Sequence, residues 1–254
     1  MAEASVTETA SRSDRTVTRR TALLAGATGL VGGHCLELLL EDDAWEQVAV
    51  LGRREIGTTH RKLVQRVVDF DRLAELGDLP RVDDVFCCLG TTMKRAGSEA
   101  AFRRVDFTYV HELARLASRQ RAGQFLLVSA LGADRQSRVF YNRVKGEVEE
   151  AVRNLPFAGV HIFRPSLLLG ERRESRPGER LAILAGRALG FMFVGPLGRY
   201  RPIAARAVAA AMIRIAKDAT RGVHVYESDR IRGLTATRSQ RMSAFRLTRT
   251  SNHH

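Results

Sequence analysis

Cysteine is scarce in this chain of 254 residues, which has three cysteines at Cys35, Cys87 and Cys88. Three thiols at this spacing form neither a disulfide framework nor a zinc site, and His111 and His161 lack partners at the spacing of metal ligands. Cys87 and Cys88 are adjacent in an apolar run, which is typical of buried, reduced thiols. We therefore expect no metal and a reducing, cytoplasmic location.

The sequence also lacks an uninterrupted apolar run of the length that crosses a membrane. The nearest approach is the stretch from Thr21 to Leu40, which glycines, His34 and Glu37 interrupt. Arg19 and Arg20 precede this stretch as they would in an export signal, but its glycine spacing indicates a different role. We expect no transmembrane segment.

Acidic residues are outnumbered: 28 Asp and Glu stand against 41 Lys and Arg, which gives a formal net charge of +13. Six arginines and no acidic residue follow Asp229, so much of this excess belongs to the end of the chain. Such a distribution favours a solvated basic surface, and we do not expect nucleic-acid binding. Composition predicts a flexible arm at residues 1–18 and a flexible basic tail at 238–254.

Short apolar runs alternate with segments of helical spacing between residues 19 and 165. Parallel strands buried on both faces read as continuous apolar runs, and they need helical crossovers. The alternation therefore predicts an α/β fold with a doubly wound parallel sheet of the Rossmann type. From residue 166 to 237 apolar runs no longer alternate regularly with helical segments, which predicts a small C-terminal substrate-side region packed on this core. The predicted strands cover residues 21–25, 47–51, 63–69, 84–89, 124–129, 160–163 and 223–227, and the predicted helices cover 33–40, 100–119 and 142–155.

A glycine-rich turn follows the first predicted strand and reads Ala25-Gly26-Ala27-Thr28-Gly29-Leu30-Val31-Gly32. Between a strand and a helix, these glycines allow a tight turn, a close approach to a pyrophosphate and close packing of the helix on the strand. The helix N-terminus adds free N–H groups and the positive end of its dipole. We predict a dinucleotide site formed by Gly26, Thr28, Gly29, Leu30, Val31 and Gly32.

The ends of the next strands add further cofactor contacts. The second strand ends in Arg53 and Arg54, where an NAD site usually has an acidic residue. Guanidinium groups suit a 2′-phosphate, so the sequence predicts NADP(H) as the cofactor. We expect Asp69, at the end of the third strand, to hydrogen-bond the adenine. Because ligands lie at the carboxyl ends of parallel strands, the cofactor ribose is expected against Leu89, Gly90 and Thr91.

Tyr141 and Lys145 stand four residues apart on a predicted helix and therefore share one face. A free phenol has a pKa of about 10, and a nearby ammonium lowers it by favouring the phenolate. The pair is predicted to act as the acid and base of carbonyl or alcohol redox chemistry. Ser129, at the end of the fifth strand, is predicted to hold the substrate oxygen. We interpret Glu147, Glu149 and Glu150 as a solvated helix face.

Several further motifs surround these residues: Phe86 to Thr92, Val105-Asp106, Lys145 to Glu149, Arg164-Pro165 and Arg173 to Glu179. With the glycine turn and the Tyr141 and Lys145 pair, they resemble the atypical short-chain dehydrogenase/reductases of the Tat-interacting-protein type. The similarity runs from about Thr21 to Asp229. The resemblance implies an NADPH-binding Rossmann fold, cofactor contacts at the glycines and at Arg53 and Arg54, and an active-site pair at Tyr141 and Lys145.

The sequence departs from related reductases at the serine position. Those proteins carry several hydroxyl residues where this chain has Ala130 and Leu131, so Ser129 and the more distant Ser137 are both open for the role. Two functions follow. One is an NADP(H)-dependent oxidoreductase with a small-molecule carbonyl or alcohol substrate, which Tyr141 and Lys145 favour. The other is an NADPH-binding regulatory or scaffold protein without turnover and with a protein partner.

The apolar stretch from Leu181 to Leu197 has three possible uses. It could line a substrate pocket, form the interface of a homo-oligomer or face a membrane surface.

Overall fold

The computed structural model describes residues 20–77, 81–170 and 195–235. The predicted arm at 1–18, the predicted tail at 238–254 and the apolar stretch as far as residue 194 lie outside these ranges. The strands are β1 (Arg20–Ala25), β2 (Trp45–Gly52), β3 (Leu63–Val67), β4 (Asp84–Cys87), β5 (Gln124–Val128), β6 (Gly159–Arg164), β7 (Leu168–Leu169), β8 (Ile203–Ala204) and β9 (Gly222–Glu227).

Seven of these strands form one parallel sheet in the order β3-β2-β1-β4-β5-β6-β9. The chain winds outward from β1 in one direction and from β4 in the other, so the strand order reverses between these two neighbours. In doubly wound sheets this reversal opens a crevice at the carboxyl edge, where ligands bind. The predicted Rossmann-type α/β fold is confirmed.

Helices cover both faces of the sheet. They are α1 (Leu30–Glu41), α2 (Met93–Ala96), α3 (Glu99–Arg103), α4 (Tyr109–Arg119), α5 (Phe140–Arg153), α6 (Ala205–Asp218) and α7 (Ser228–Thr235). Side chains of α1, α6 and α7 pack with Ala22 and Leu24 on one face, and those of α4 and α5 pack with Leu23 and Ala25 on the other. Alternate residues of β1 thus enter two different cores, which explains why the strand is apolar throughout.

The helix predicted from Ala100 to Arg119 is interrupted in the structure. A π-helical turn, Arg104–Thr108, separates α3 from α4. The sequence predicted one continuous helix here, because the inserted residue shifts the apolar spacing without ending the helix. The third and fourth strands also end earlier than predicted: β3 ends at Val67, where Asp69 caps a 3₁₀ helix, Phe70–Glu75, and β4 ends at Cys87.

Buried polar side chains hydrogen-bond to one another near the amino ends of the central strands. Asp84 accepts hydrogen bonds from Trp45 Nε1 at 2.8 Å and Gln124 Nε2 at 2.9 Å, and it pairs with Arg20. Gln124 Oε1 lies 3.1 Å from His161 Nε2. Burial raises the pKa of Asp84 to about 6, although Arg20 opposes the shift. Burial, with a smaller effect of His224, lowers the pKa of His161 to about 4.

These two shifts affect acid stability in opposite senses. The contribution of Asp84 is full at low pH and is lost as the pH rises through about 6, whereas that of His161 is full above about pH 6.5 and is lost as the pH falls towards 4. We therefore expect His161→Gln to destabilise the protein by about 2 kcal/mol less at about pH 4.5 than at pH 7. Chemical denaturation at both pH values measures this difference. His34→Gln, on the partly exposed side of α1, is the matched control. Equal destabilisation by His161→Gln at both pH values would contradict the prediction.

Candidate functional site

At two positions of the turn after β1, only glycine fits. Gly26 has a φ of +88°, and a Cβ atom there would lie 2.4 Å from the carbonyl oxygen of Cys88. A Cβ atom at Gly32 would lie 2.1 Å from the carbonyl oxygen of Gly26. Real Cβ atoms do not come this close to backbone atoms, so both glycines are needed for α1 to pack against the ends of β1 and β4.

The N-terminus of α1 is open. Gly29 is the N-cap residue and no side chain caps the first turn, which contains no acidic residue. Thr28 and Gly29 are exposed, while Leu30 is partly buried and Val31 is buried. The first amide groups of this helix are therefore available to an anion.

Arg53 and Arg54 follow β2 and are both exposed. Among the residues that the structure describes, neither guanidinium forms a salt bridge, so both are available to a phosphate group. Asp69 is also exposed, and its Oδ1 accepts a hydrogen bond from the amide of Asp71 at 2.9 Å. This carboxylate therefore already caps the 3₁₀ helix that follows β3.

Lys145 lies beside the chain that follows β4, although its helix is far from β4 in sequence. Its Nζ lies 2.8 Å from Oδ1 of Asp106, and both side chains are buried. Leu89, Gly90 and Thr91 continue from β4, and a Cβ atom at Gly90 would lie 3.7 Å from Lys145 Nζ. The structure thus brings Gly90 and Lys145 together at the carboxyl edge of the sheet.

Tyr141 precedes Lys145 by one turn of α5 and is partly buried. Its ring packs against Phe102, with ring centroids 5.3 Å apart. Burial alone would lower the pKa of Lys145, but the carboxylate of Asp106, with a smaller contribution from Tyr141, raises it above the ordinary value. Lys145 is therefore a buried cation one helical turn from Tyr141.

Ser129 has a partner that the sequence did not predict. Its hydroxyl donates a hydrogen bond of 2.5 Å to Oε1 of Glu149, and Nη2 of Arg164 lies 2.5 Å from Oε2 of the same carboxylate. Glu149 is buried, so its interpretation as part of a solvated face is wrong. The contact of Ser129 with a substrate oxygen stays a prediction, and Glu149 competes for its proton. Ser137, the alternative, accepts a hydrogen bond from the amide of Val139.

The sequence offered one signal for this missed glutamate. Tyr141, Lys145 and Glu149 stand at successive intervals of four residues, so Glu149 belongs to the helix face of the proposed catalytic pair rather than to the solvated face. Its counter-ions are Arg164, which ends a separate strand, and Arg153, one turn further along α5, whose Nη2 lies 3.7 Å from Oε2.

The cysteines are core residues. Burial raises the pKa of the Cys87 thiol to about 12, and the hydrogen bond with Cys35 is the main cause that raises the pKa of Cys88. Within residues 20–77, 81–170 and 195–235, no three His, Cys, Asp or Glu side chains are grouped so that they could share a metal ion. None of the helices described has both the length and the apolar character of a membrane span.

Comparison with known proteins shows what this chain is similar to. No family model matches it. Protein HTATIP2 of Rattus norvegicus is 40% identical over 175 residues, which cover 67% of this chain and 72% of that protein. The mitochondrial protein fmp52 of Emericella nidulans is 34% identical over 174 residues, which cover 66% of this chain and 75% of that protein.

Solved structures of low identity share the fold. The human epimerase family protein SDR39U1 with NADPH has a TM-score of 0.58 at 18% identity, and the match covers 82% of this chain and 74% of that one. MoeE5 in complex with UDP-glucose and NAD has a TM-score of 0.60 at 15% identity, covering 81% and 75%.

The names of the fungal relatives correct one expectation. The relatives from Emericella nidulans, Debaryomyces hansenii and Aspergillus fumigatus are all named mitochondrial. The expected cytoplasmic location is therefore wrong. Its basis was the presence of unpaired thiols, which indicate a reducing compartment without identifying the cytosol.

Proposed function

Since this chain belongs to the atypical short-chain dehydrogenase/reductase family, we propose that it is an NADP(H)-dependent oxidoreductase that acts on a carbonyl or alcohol substrate. One observation carries the proposal. The glycine turn after β1 and the buried Lys145, with Tyr141 one turn away, converge on the carboxyl edge of β1 and β4. This is the edge where a doubly wound sheet binds its ligands.

The residues at this edge fit a nicotinamide dinucleotide. Gly26 and Gly32 keep the backbone free of side chains, and the uncapped amide groups of α1 would receive the pyrophosphate. The 2′-phosphate would be held by the exposed guanidinium groups of Arg53 and Arg54. The other proposed contacts are Thr28, Gly29, Leu30 and Val31 in the glycine turn, Asp69 at the adenine, and Leu89, Gly90, Thr91 and Lys145 at the ribose.

When bound, the nicotinamide supplies or accepts the hydride. Tyr141 Oη would donate a proton to the substrate oxygen during reduction and accept it during oxidation. Lys145 supplies a buried positive charge one helical turn from Tyr141. The ring of Phe102 fixes the direction of the Tyr141 side chain.

Two measurements test the proposed function. NADPH is titrated into the protein and binding is followed by its fluorescence, and a panel of aldehydes, ketones and alcohols is screened for consumption of NADPH or production from NADP⁺. Saturable binding together with turnover of at least one compound is the expected result. Absence of NADPH binding would contradict the proposal.

The preference between the two cofactors depends on Arg53 and Arg54. Charge-assisted hydrogen bonds to a phosphate contribute about 1.5–3 kcal/mol, so we expect NADPH to bind roughly ten to a hundred times more tightly than NADH. Replacing both arginines by alanine should remove most of the difference by weakening NADPH binding. Isothermal titration with each cofactor measures it.

Arg119→Ala is the control for this pair. Arg119 is an exposed arginine at the end of α4, shortly before the amino end of β5, and therefore at the edge of the sheet opposite the proposed cofactor site. It should leave both affinities unchanged. Equal affinities of the parent protein for NADPH and NADH would show that the two arginines do not select the cofactor.

One observation favours a second function, in which the chain is an NADPH-binding regulatory or scaffold protein with a protein partner. The hydroxyl of Ser129 is bound to Glu149, and Ala130 and Leu131 provide no other hydroxyl group for a substrate oxygen. Under this alternative NADPH binds as described, but no compound of the screen is turned over.

A further inference from the structure

Asp106 is a buried carboxylate to which the sequence motifs assign no function. It lies on the π-helical turn, Arg104–Thr108, and is fully buried. Its two oxygens have different partners: Oδ2 accepts a hydrogen bond of 2.8 Å from the amide of Thr91, and Oδ1 lies 2.8 Å from Nζ of Lys145. One carboxylate therefore connects the segment after β4 to α5.

The π-helical turn contributes to this arrangement. A π-helical turn holds one more residue than an α-helical turn, and an inserted residue rotates the side chains that follow it by about 100° around the helix axis. Gly90 completes the contact, since a Cβ atom there would lie 3.3 Å from Oδ1 of Asp106. Backbone geometry on both sides thus brings the carboxylate to Lys145.

The surroundings of Lys145 make Asp106 its anionic partner. The other titratable groups that act on Lys145 are Tyr141 and Cys87. Burial raises the pKa of Cys87 to about 12, so this thiol is uncharged at neutral pH. A buried ammonium without an anion loses its proton readily, because its charged form is poorly solvated.

We propose that Asp106 is a positioning residue, which holds the Lys145 ammonium against the segment after β4 and keeps it charged. Asp106 acts through Lys145 and not on the substrate. The inference rests on the proposed function, in which Lys145 contacts the cofactor and supplies a positive charge near Tyr141. The ion pair itself can be tested without either.

The test is the pKa of Lys145 in Asp106→Asn, which removes the charge and keeps the shape of the side chain. The chain has four lysines, so selective labelling with ¹³C and ¹⁵N gives few signals, and loss of one signal in Lys145→Met identifies Lys145. NMR titration of the protein without cofactor or substrate should give a pKa above the ordinary value of about 10.4 in the parent protein. In Asp106→Asn it should fall below that value. If Asp106 only filled space in the core, the pKa of Lys145 would not change in this variant.

Asp71→Asn is the matched control, because Asp71 is an exposed carboxylate that accepts a hydrogen bond from Tyr109. It should leave the titration of Lys145 at the parent value. An unchanged Lys145 pKa in Asp106→Asn would overturn the inference. So would a parent pKa at or below the ordinary value, which is measured without Asp106→Asn and therefore decides the matter even where that variant does not fold. If Asp106→Asn gives the expected fall and the parent protein binds no NADPH, the proposed function fails and the role of Asp106 stands.

Discussion

Tyr141→Phe should lower the turnover of a carbonyl substrate by about a hundredfold to ten-thousandfold, because positioned proton transfer contributes that much to a reaction. The change removes one hydroxyl and keeps the ring, whose packing on Phe102 is preserved. Lys145 remains buried beside Asp106, so its contribution to the site is unchanged. We therefore expect NADPH affinity to change by less than about threefold.

Steady-state kinetics and a cofactor titration on the same preparation separate the two effects. Tyr109→Phe is the matched control: it also removes a hydroxyl that donates a hydrogen bond, here of 2.8 Å to Asp71, but it lies on α4 away from Lys145. It should leave turnover at the parent rate. Parent-rate turnover by Tyr141→Phe would refute the proton-transfer mechanism. If a broad screen finds no substrate and Tyr141→Phe changes only NADPH affinity, the regulatory function replaces the enzymatic one.

The sheet could be predicted from the sequence because its signals are local. Each strand is a short apolar run, and buried parallel strands must be connected by helices on the faces of the sheet. The glycine turn could be predicted in the same way, because it lies between a strand and a helix that are adjacent in sequence. A Cβ atom at Gly32 would clash with the backbone of Gly26, and one at Gly26 would clash with the backbone of Cys88, which follows β4. Local patterning therefore predicted both the fold and the position of the glycine turn.

The charged network around the site could not be predicted in the same way. Whether Glu149 faces water or the interior depends on Arg164, which ends β6, and on Ser129, which follows β5. Likewise, the contact between Asp106 and Lys145 depends on a π-helical turn in a segment that the sequence predicted as one continuous α-helix. A charged side chain can be buried only where another residue supplies the opposite charge, and the periodicity of the sequence does not show which distant residue that is.

Glu149 should be among the residues whose loss destabilises the fold most. Glu149→Ala leaves Arg164 without its carboxylate partner, whose Oε2 lies 2.5 Å from Nη2, and leaves the Ser129 proton without an acceptor. Removing one member of a fully buried ion pair costs about 3–5 kcal/mol, and because the Arg164 side chain is 21% exposed and Glu227 and Asp134 also act on its charge, we expect a loss at the lower end of this range. Urea denaturation should show a loss of this size in the free energy of unfolding. Glu150→Ala, at the next and exposed position of α5, should change it by less than about 0.5 kcal/mol.

Two further variants distinguish the loss of the Glu149 charge from the loss of the acceptor for the Ser129 hydroxyl. Glu149→Gln keeps an oxygen that can accept the Ser129 proton but removes the charge, so it should lose less stability than Glu149→Ala. Adding Arg164→Met to Glu149→Leu removes both charges and replaces them with apolar volume, which is often close to neutral for a buried ion pair. We expect this double variant to recover most of the stability lost in Glu149→Ala. A loss below about 1 kcal/mol in Glu149→Ala would mean that the Arg164 charge is compensated by water or by another anion, and would contradict the prediction.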